Sequence, residues 1–200
     1  MNRVRVIQDL IDRYKLQSYL EIGVASGWTY RRINCPIKRG MEPDVSVELE
    51  GVVQKTSHSF FMTNKDKFDI VFIDGLHLYE QVAQDIVNSL NSLNLGGFII
   101  VHDCYPRKEE YANRIKPKVG PWNGDVYRAM IWFRETYMDY PSVTIDEDEG
   151  LGVIKKTYDD TIKEVDVEKF SNVPYRYIET GKTLGLISYK EFNTWLKEIV

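Results

Sequence analysis

The sequence predicts an α/β chain on a Rossmann-like, doubly wound and mostly parallel seven-stranded sheet, with helices on both faces and a C-terminal antiparallel hairpin. Three observations carry that expectation. Residues 69–73 (DIVFI) and 98–101 (FIIV) are continuous apolar runs, as central strands buried on both faces require. Residues 19–29 (YLEIGVASGWT) read as a short strand that breaks into a glycine-bearing turn. Residues 142–145 and 151–155 flank the acidic turn DEDEG, the pattern of a hairpin.

Val4, Ile7, Leu10, Ile11 and Tyr14 fall at helical spacing and predict a first helix with one apolar stripe. Residues 18–22 form strand one and a short helix is expected over 28–33, after which Cys35-Pro36 breaks the chain. Residues 37–42 read as strand two and 52–55 as a shorter third strand. Tyr79, Val82, Ile86, Leu90 and Leu93 mark an amphipathic helix that ends before Gly96-Gly97. Asp125 is placed to cap a helix bearing Val126, Met130, Ile131 and Phe133, unless Trp122 and Asp125 serve a loop over a ligand. Ser188-x-x-Glu191 is a capping box that announces a last helix with Phe192, Trp195 and Leu196. The chain is therefore read as one catalytic-sized domain over residues 1–157 and a helical appendage, 158–200, that packs on it or on a second subunit.

Composition narrows the function. With 26 Lys and Arg against 30 Asp and Glu, the net charge of -4 offers no broad basic field, so nucleic acid is not an expected partner. The longest apolar runs are too short to span a bilayer, and the first fifteen residues carry charges throughout, so neither a membrane nor a secretory leader is expected. Cys35 and Cys104 make no metal or disulfide pattern, which fits free thiols in the cytoplasm.

Candidate site residues cluster after the strands. Gly23 and Gly27 permit a tight turn on which backbone amides face a ligand, and Glu21 ends the strand before it. Glu42 follows Gly23 by nineteen positions, close to the separation at which a carboxylate meets a ribose diol. Asp74 ends one central strand and His102-Asp103 ends the next. Strands lie about 4.8 Å apart, so these side chains can converge on one divalent cation.

Taken together, the Glu21-x-Gly23-x-x-x-Gly27 turn, Ile73-Asp74-Gly75-Leu76-His77, the His102-Asp103 pair and Trp122-Asn123-Gly124-Asp125-Val126 resemble the class I S-adenosylmethionine-dependent methyltransferases. Within them the resemblance is to the small-molecule branch related to sugar and glycoside O-methyltransferases, and it runs from about residue 18 to 154. It implies S-adenosyl-L-methionine held by Glu21, Gly23, Val24, Ala25, Ser26, Gly27, Glu42, Ser57 and His58. It also implies magnesium or manganese on Asp74, His102 and Asp103, and a small acceptor, a sugar or glycoside, methylated on a hydroxyl. His58 stands where such relatives often hold adenine with an acidic residue, and His102 where they carry a carboxylate. Imidazole is a poorer magnesium ligand than oxygen, so another metal, a water-bridged ion or none is consistent with this sequence.

Methyl transfer requires an acceptor oxygen aligned with the sulfonium and relieved of its proton. His77 is a candidate general base because neutral imidazole is available near pH 7, with Asp74 as its competitor. A plainer role for His77 is a helix-start hydrogen bond. Two other classes remain open: a catalytically degenerate binding or scaffold protein, hinted at by His58 and His102, and a nicotinamide oxidoreductase, against which the absence of G-x-G-x-x-G speaks. The oligomeric state, including a homo-oligomer, is left open.

Overall fold

A computed structural model of the chain describes residues 2–162 and 166–199. The elements are α1 (Arg3–Tyr14), β1 (Ser18–Ile22), β2 (Ile37–Met41), β3 (Val52–Val53), α2 (Ser57–Phe61), β4 (Phe68–Ile73), α3 (Tyr79–Ser92), β5 (Leu93–Val101), α4 (Tyr127–Thr136), β6 (Ser142–Ile145), β7 (Leu151–Lys155), β8 (Leu186–Ile187) and α5 (Tyr189–Glu198). One sheet has the order β3-β2-β1-β4-β5-β7-β6-β8. Strands β1 to β5 run parallel, whereas β7 is antiparallel to both β5 and β6.

The order reverses between β1 and β4, which opens a crevice at their C-terminal ends, where open α/β sheets bind ligands. Apolar residues cover both faces. Tyr79, Val82, Ile86 and Leu90 of α3 and Met130 and Phe133 of α4 pack on one, while Ile7, Leu10 and Ile11 of α1 and Phe192 and Leu196 of α5 pack on the other. Two-sided burial is why 69–73 and 98–101 carry no alternation.

The sheet has eight strands rather than the seven expected. The eighth lies in the C-terminal segment: β8 pairs with β6 in parallel, Thr144 opposite Leu186 and Ile145 opposite Ile187. Phe170, Ile178 and Leu184 join the core on the α3/α4 face, so the segment crosses the sheet edge at β8 and returns on the opposite face as α5. Its capping box forms as expected, with Ser188 and Glu191 satisfying each other's backbone N–H groups. A two-residue strand leaves almost no periodicity in sequence, because two positions are too few for a pattern to repeat.

Two further expectations are corrected. No α-helix forms over 28–33; one 3₁₀ turn, Tyr30–Arg32, stands there. Arg31 and Arg32 donate to the carbonyls of Ser26 and Trp28, Lys38 takes those of Tyr30 and Ile33, and the chain is spent before Pro36. Asp125, expected to cap α4, instead caps α3: its Oδ1 accepts the N–H of Tyr79 at 2.7 Å, where the N-cap position itself holds Leu78. A fully buried lysine, Lys156, closes the other end of α3 by donating to the carbonyls of Leu90 and Leu93, both at 3.0 Å. Cys35 and Cys104 are buried and free. No helix among the described residues is long and apolar enough to cross a membrane.

Candidate active site

A cleft of about 710 Å³ opens at the switch point. Its floor is the glycine turn: Glu21, Gly23, Val24, Ala25 and Ser26 line it, with Glu42 from the end of β2 and Ser57 from α2. Gly23 has φ +82°, and a Cβ there would lie 2.2 Å from the carbonyl oxygen of Asp74, so β1 and β4 end back to back only because residue 23 has no side chain. Glu42 reaches across with Oε2 to accept the N–H of Ala25 at 2.8 Å, and Oε1 accepts that of Asp44 at 3.1 Å. The acidic residue after strand two is thereby tied to the turn. Gly27 stands outside the lining and shapes the turn from behind, its N–H donating to the Val24 carbonyl at 2.8 Å. His58 is exposed and also stands outside the lining.

Glu21 is almost wholly buried, and Tyr19, two residues earlier on the same strand face, donates its hydroxyl to Glu21 Oε2 at 2.5 Å. Burial pushes the Glu21 carboxyl up to about 8, against the pull of that hydrogen bond. At the other end of this floor the sequence reading missed Gln81 and Asp85. They lie one turn apart on α3, and Gln81 Nε2 donates to Asp85 Oδ1 at 2.9 Å and to Ser57 Oγ at 3.2 Å. Both line the cleft, and burial raises the Asp85 carboxyl to about 6. The signal that could have found Asp85 is an acid among Val82, Ile86 and Leu90 on the apolar face of an amphipathic helix.

The wall opposite the turn carries Asp74, Gly75, Leu76 and His77, with Trp122 and Lys116 above them. His77 stacks on the Trp122 indole, ring centroids 4.7 Å apart and planes 18° from parallel. Its Nδ1 lies 3.3 Å from Asp103 Oδ2 and its Nε2 lies 3.5 Å from Asp74 Oδ1. Gly124 holds this arrangement, because its φ of +64° lets the 122–125 loop sit against the His77 carbonyl, 1.9 Å from where a Cβ would stand. Asn123 Nδ2 donates to Asp103 Oδ1 at 2.6 Å. Asp103 itself has φ +61°, a left-handed conformation that aims its carboxylate back at the cluster.

Behind the wall, His102 is buried among acids: Nδ1 lies 3.3 Å from Asp74 Oδ1 and 3.0 Å from Asp103 Oδ2, and Nε2 lies 3.6 Å from Asp148 Oδ1. Burial alone would lower its pKa, yet the hydrogen bonds to Asp103, Asp148 and Asp74 outweigh it and hold the ring well above the ordinary histidine range. Asp74 moves the other way: despite burial, His102, His77 and Arg3 hold it far below the usual carboxylate range. Asp148, from the acidic turn, and Arg3, from the start of α1, went unnoticed in the sequence. An arginine opening a surface helix and an acid in a hairpin turn give no one-dimensional hint that they meet.

One donor atom from each of Asp74, His102 and Asp103 falls within a group spanning 4.8 Å, so the expected convergence at the strand ends is present. The donors as arranged do not fit a magnesium ion. The imidazole edge that would face the ion already faces two carboxylates, and magnesium asks for oxygen ligands in near-octahedral order.

Residues 44–104, from before β3 through the His102-Asp103 end of β5, match the family model described as "Methyltransferase domain". The fold is similar to that of a Staphylococcus aureus protein provisionally assigned as a caffeoyl-CoA O-methyltransferase, at 18% identity and TM-score 0.59 over 76% of this chain and 82% of that one. It is similar to the S-adenosylhomocysteine-bound methyltransferase PaMTH1 of Podospora anserina, at 15% identity and TM-score 0.58 over 77% of each chain. It is similar too to TomG of Streptomyces achromogenes, an O-methyltransferase of tomaymycin synthesis solved with S-adenosylmethionine, at 14% identity and TM-score 0.55 over 78% of this chain and 80% of that one. No curated protein matches the chain. The fold is thus the Rossmann-like one of these methyltransferases. The matched segment carries Asp74, His77, His102 and Asp103, so the part of the chain that is similar to the methyltransferase model is the part that supplies the wall of the cleft and the cluster behind it.

Proposed function

We propose that this protein transfers the methyl group of S-adenosyl-L-methionine to a hydroxyl of a small acceptor, a sugar or glycoside. The observation that carries the reading is that one cleft joins the glycine turn with Glu21 and Glu42 to the wall of Asp74, His77 and Trp122. The donor's amino acid end lies toward Glu21, whose carboxylate suits an ammonium group, and its ribose toward Glu42. Ser57, Gln81 and Asp85 form the polar end open to adenine. That assignment puts Ser57 rather than His58 on the base.

The sulfonium is already activated, so the residues supply alignment and proton removal. His77 is the general base in this reading. Asp74 competes poorly for the role because its charge is engaged by Arg3 and the two histidines, which makes it a weak proton acceptor near neutrality. Hydrogen bonding to Asp74 and the nearby Asp103 charge raise the His77 pKa in spite of burial, and so strengthen it as a base. A sugar suits the acceptor end, where Trp122 offers apolar ring surface beside the polar groups of Arg3, Lys116 and His77.

Calorimetry with S-adenosylhomocysteine, followed by methyl-transfer assays over a panel of hexoses, glycosides and catechols, tests the proposal. Saturable binding with turnover confined to sugars supports it. Turnover confined to catechols overturns the acceptor class, and absence of binding overturns the whole reading.

A further inference from the structure

The acidic cluster behind the cleft holds a cation of the chain's own. Arg3 Nη1 donates to Asp74 Oδ2 at 2.7 Å and lies 3.4 Å from His102 Nδ1, so the guanidinium touches two of the three residues whose donor atoms converge. Asp148 holds the rest of it. Its Oδ2 accepts from the Arg3 backbone N–H at 2.7 Å and from Nε at 2.9 Å, and its Oδ1 accepts from Nη2 at 3.1 Å. The fork is thus gripped in the bidentate manner that gives arginine–carboxylate pairs their directional strength. Neither end is a loose surface group: the side chains of Arg3, Asp74 and Asp148 are 21%, 20% and 18% exposed.

The backbone is committed to this contact. Arg3 is the first residue of α1, held there by the Asn2 cap, and Asp148 and Glu149 take φ of +49° and +61° in the turn between β6 and β7. Three elements distant in sequence, the start of α1, the end of β4 and the β6–β7 turn, therefore meet on one guanidinium.

We propose that Arg3 is the resident cation of this site: with the His102 ring it takes the place of a divalent metal between Asp74 and Asp103, and catalysis proceeds without one. A divalent ion set within about 4 Å of a guanidinium would be repelled strongly enough to weaken its binding on the order of a thousandfold or more. Arg3 acts as a positioning residue that fixes Asp74 and, through it, His77. The last step rests on the methyl-transfer reading, whereas the exclusion of metal does not.

The test uses the full chain, stripped of metals with a chelator and titrated with Mn²⁺, free Mn²⁺ being followed by electron paramagnetic resonance. The wild type is expected to show no saturable site below millimolar concentrations, and its turnover to be unchanged by chelator. Arg3→Met is expected to gain one Mn²⁺ site, at least about 100-fold tighter than any in the wild type, and to lose it again when Asp74→Asn is added. Arg3→Lys, which keeps the charge, is expected to stay empty. S-adenosylhomocysteine binding, measured alongside, reports an intact cleft in every variant and tests the methyl-transfer reading separately. Stoichiometric micromolar Mn²⁺ binding by the wild type overturns the proposal, as does an Arg3→Met protein that binds S-adenosylhomocysteine normally and still takes up no Mn²⁺. Should Arg3→Met fail to fold, the wild-type titration and the Arg3→Lys variant decide alone.

Discussion

The Asp125 carboxylate caps a helix that begins forty-six residues before it: its Oδ1 accepts the backbone N–H of Tyr79 at 2.7 Å. Its Oδ2 meanwhile receives Arg114 at 2.5 Å and Arg128 at 2.8 Å, and the residue is fully buried. The helix that follows His77 is therefore anchored by the loop that carries Trp122.

Asp125→Ala removes the cap and takes the carboxylate from the half-buried Arg128, which keeps only its Nε contacts with the Val173 carbonyl and the Tyr127 hydroxyl. A loss of about 2–4 kcal/mol is expected in urea unfolding, with Asp125→Asn nearer the low end because the amide oxygen still accepts from Tyr79. An unchanged midpoint in the alanine variant would sink this account of the 122–125 loop.

Gly23→Ala places a methyl group on the Asp74 carbonyl oxygen at a φ of +82°. Either the β1 turn or the end of β4 must shift, and both walls of the cleft move with them. S-adenosylhomocysteine affinity is expected to fall about 100-fold or more while the fold persists, read by calorimetry beside circular dichroism.

Asp74→Asn and Asp103→Asn leave the glycine turn untouched and disturb the groups around His77. Cofactor affinity is expected to change by no more than a few-fold while kcat drops by about 100-fold or more. Full turnover in both variants refutes the placement of the catalytic wall.

His77 must be neutral to accept a proton. Burial lowers its pKa, but the hydrogen bond with Asp74 and the charges of Asp103 and Asp74 raise it, and the net result lies above 6.5. The rate should therefore climb with pH and reach half its plateau on the alkaline side of that value. In whatever activity Asp103→Asn retains, the midpoint should move to lower pH, since a raising charge is gone. A pH profile of kcat/KM that is flat across about pH 6–9 excludes His77 as the base.

Glu21 couples the cofactor to protons. Its folded pKa of about 8 stands above the ordinary 4.5, so the stability contributed by the neutral carboxyl is complete below about 4.5 and is lost as pH rises through about 8. Pairing with the ligand's ammonium group requires the carboxylate, so binding near pH 7 should release a proton and tighten as pH approaches 8. Calorimetry at pH 7 in buffers of different ionisation enthalpy reads the proton directly, and Glu21→Gln should abolish its release. Equal binding heats in all buffers would show that Glu21 is not the partner of that ammonium.

What the chain reveals in one dimension is what local physics decides. The stripe Val4, Ile7, Leu10 and Ile11 specifies a helix, the unbroken DIVFI and FIIV runs specify strands covered on both faces, and Ser188 with Glu191 closes its own capping box. Strand ends and glycine turns are equally local and mark Glu21, Gly23, Glu42 and Asp74 as candidates; the family resemblance joined them to His77 in one site, and all five line one cleft. The short helix expected over 28–33 shrinks to the 3₁₀ turn Tyr30–Arg32: backbone N–H groups take the Gly27 and Thr29 carbonyls, but arginine and lysine side chains take those of Ser26, Trp28, Tyr30 and Ile33. Only the tertiary fold decided that Asp125 caps α3, that the C-terminal segment adds an eighth strand, and that Arg3 and Asp148 close the acidic cluster. These contacts join residues 46, 42 and 145 positions apart in the pairs Tyr79–Asp125, Thr144–Leu186 and Arg3–Asp148. No periodicity or local propensity links such positions, because the energy that pairs them exists only once the sheet has brought its edges and ends together.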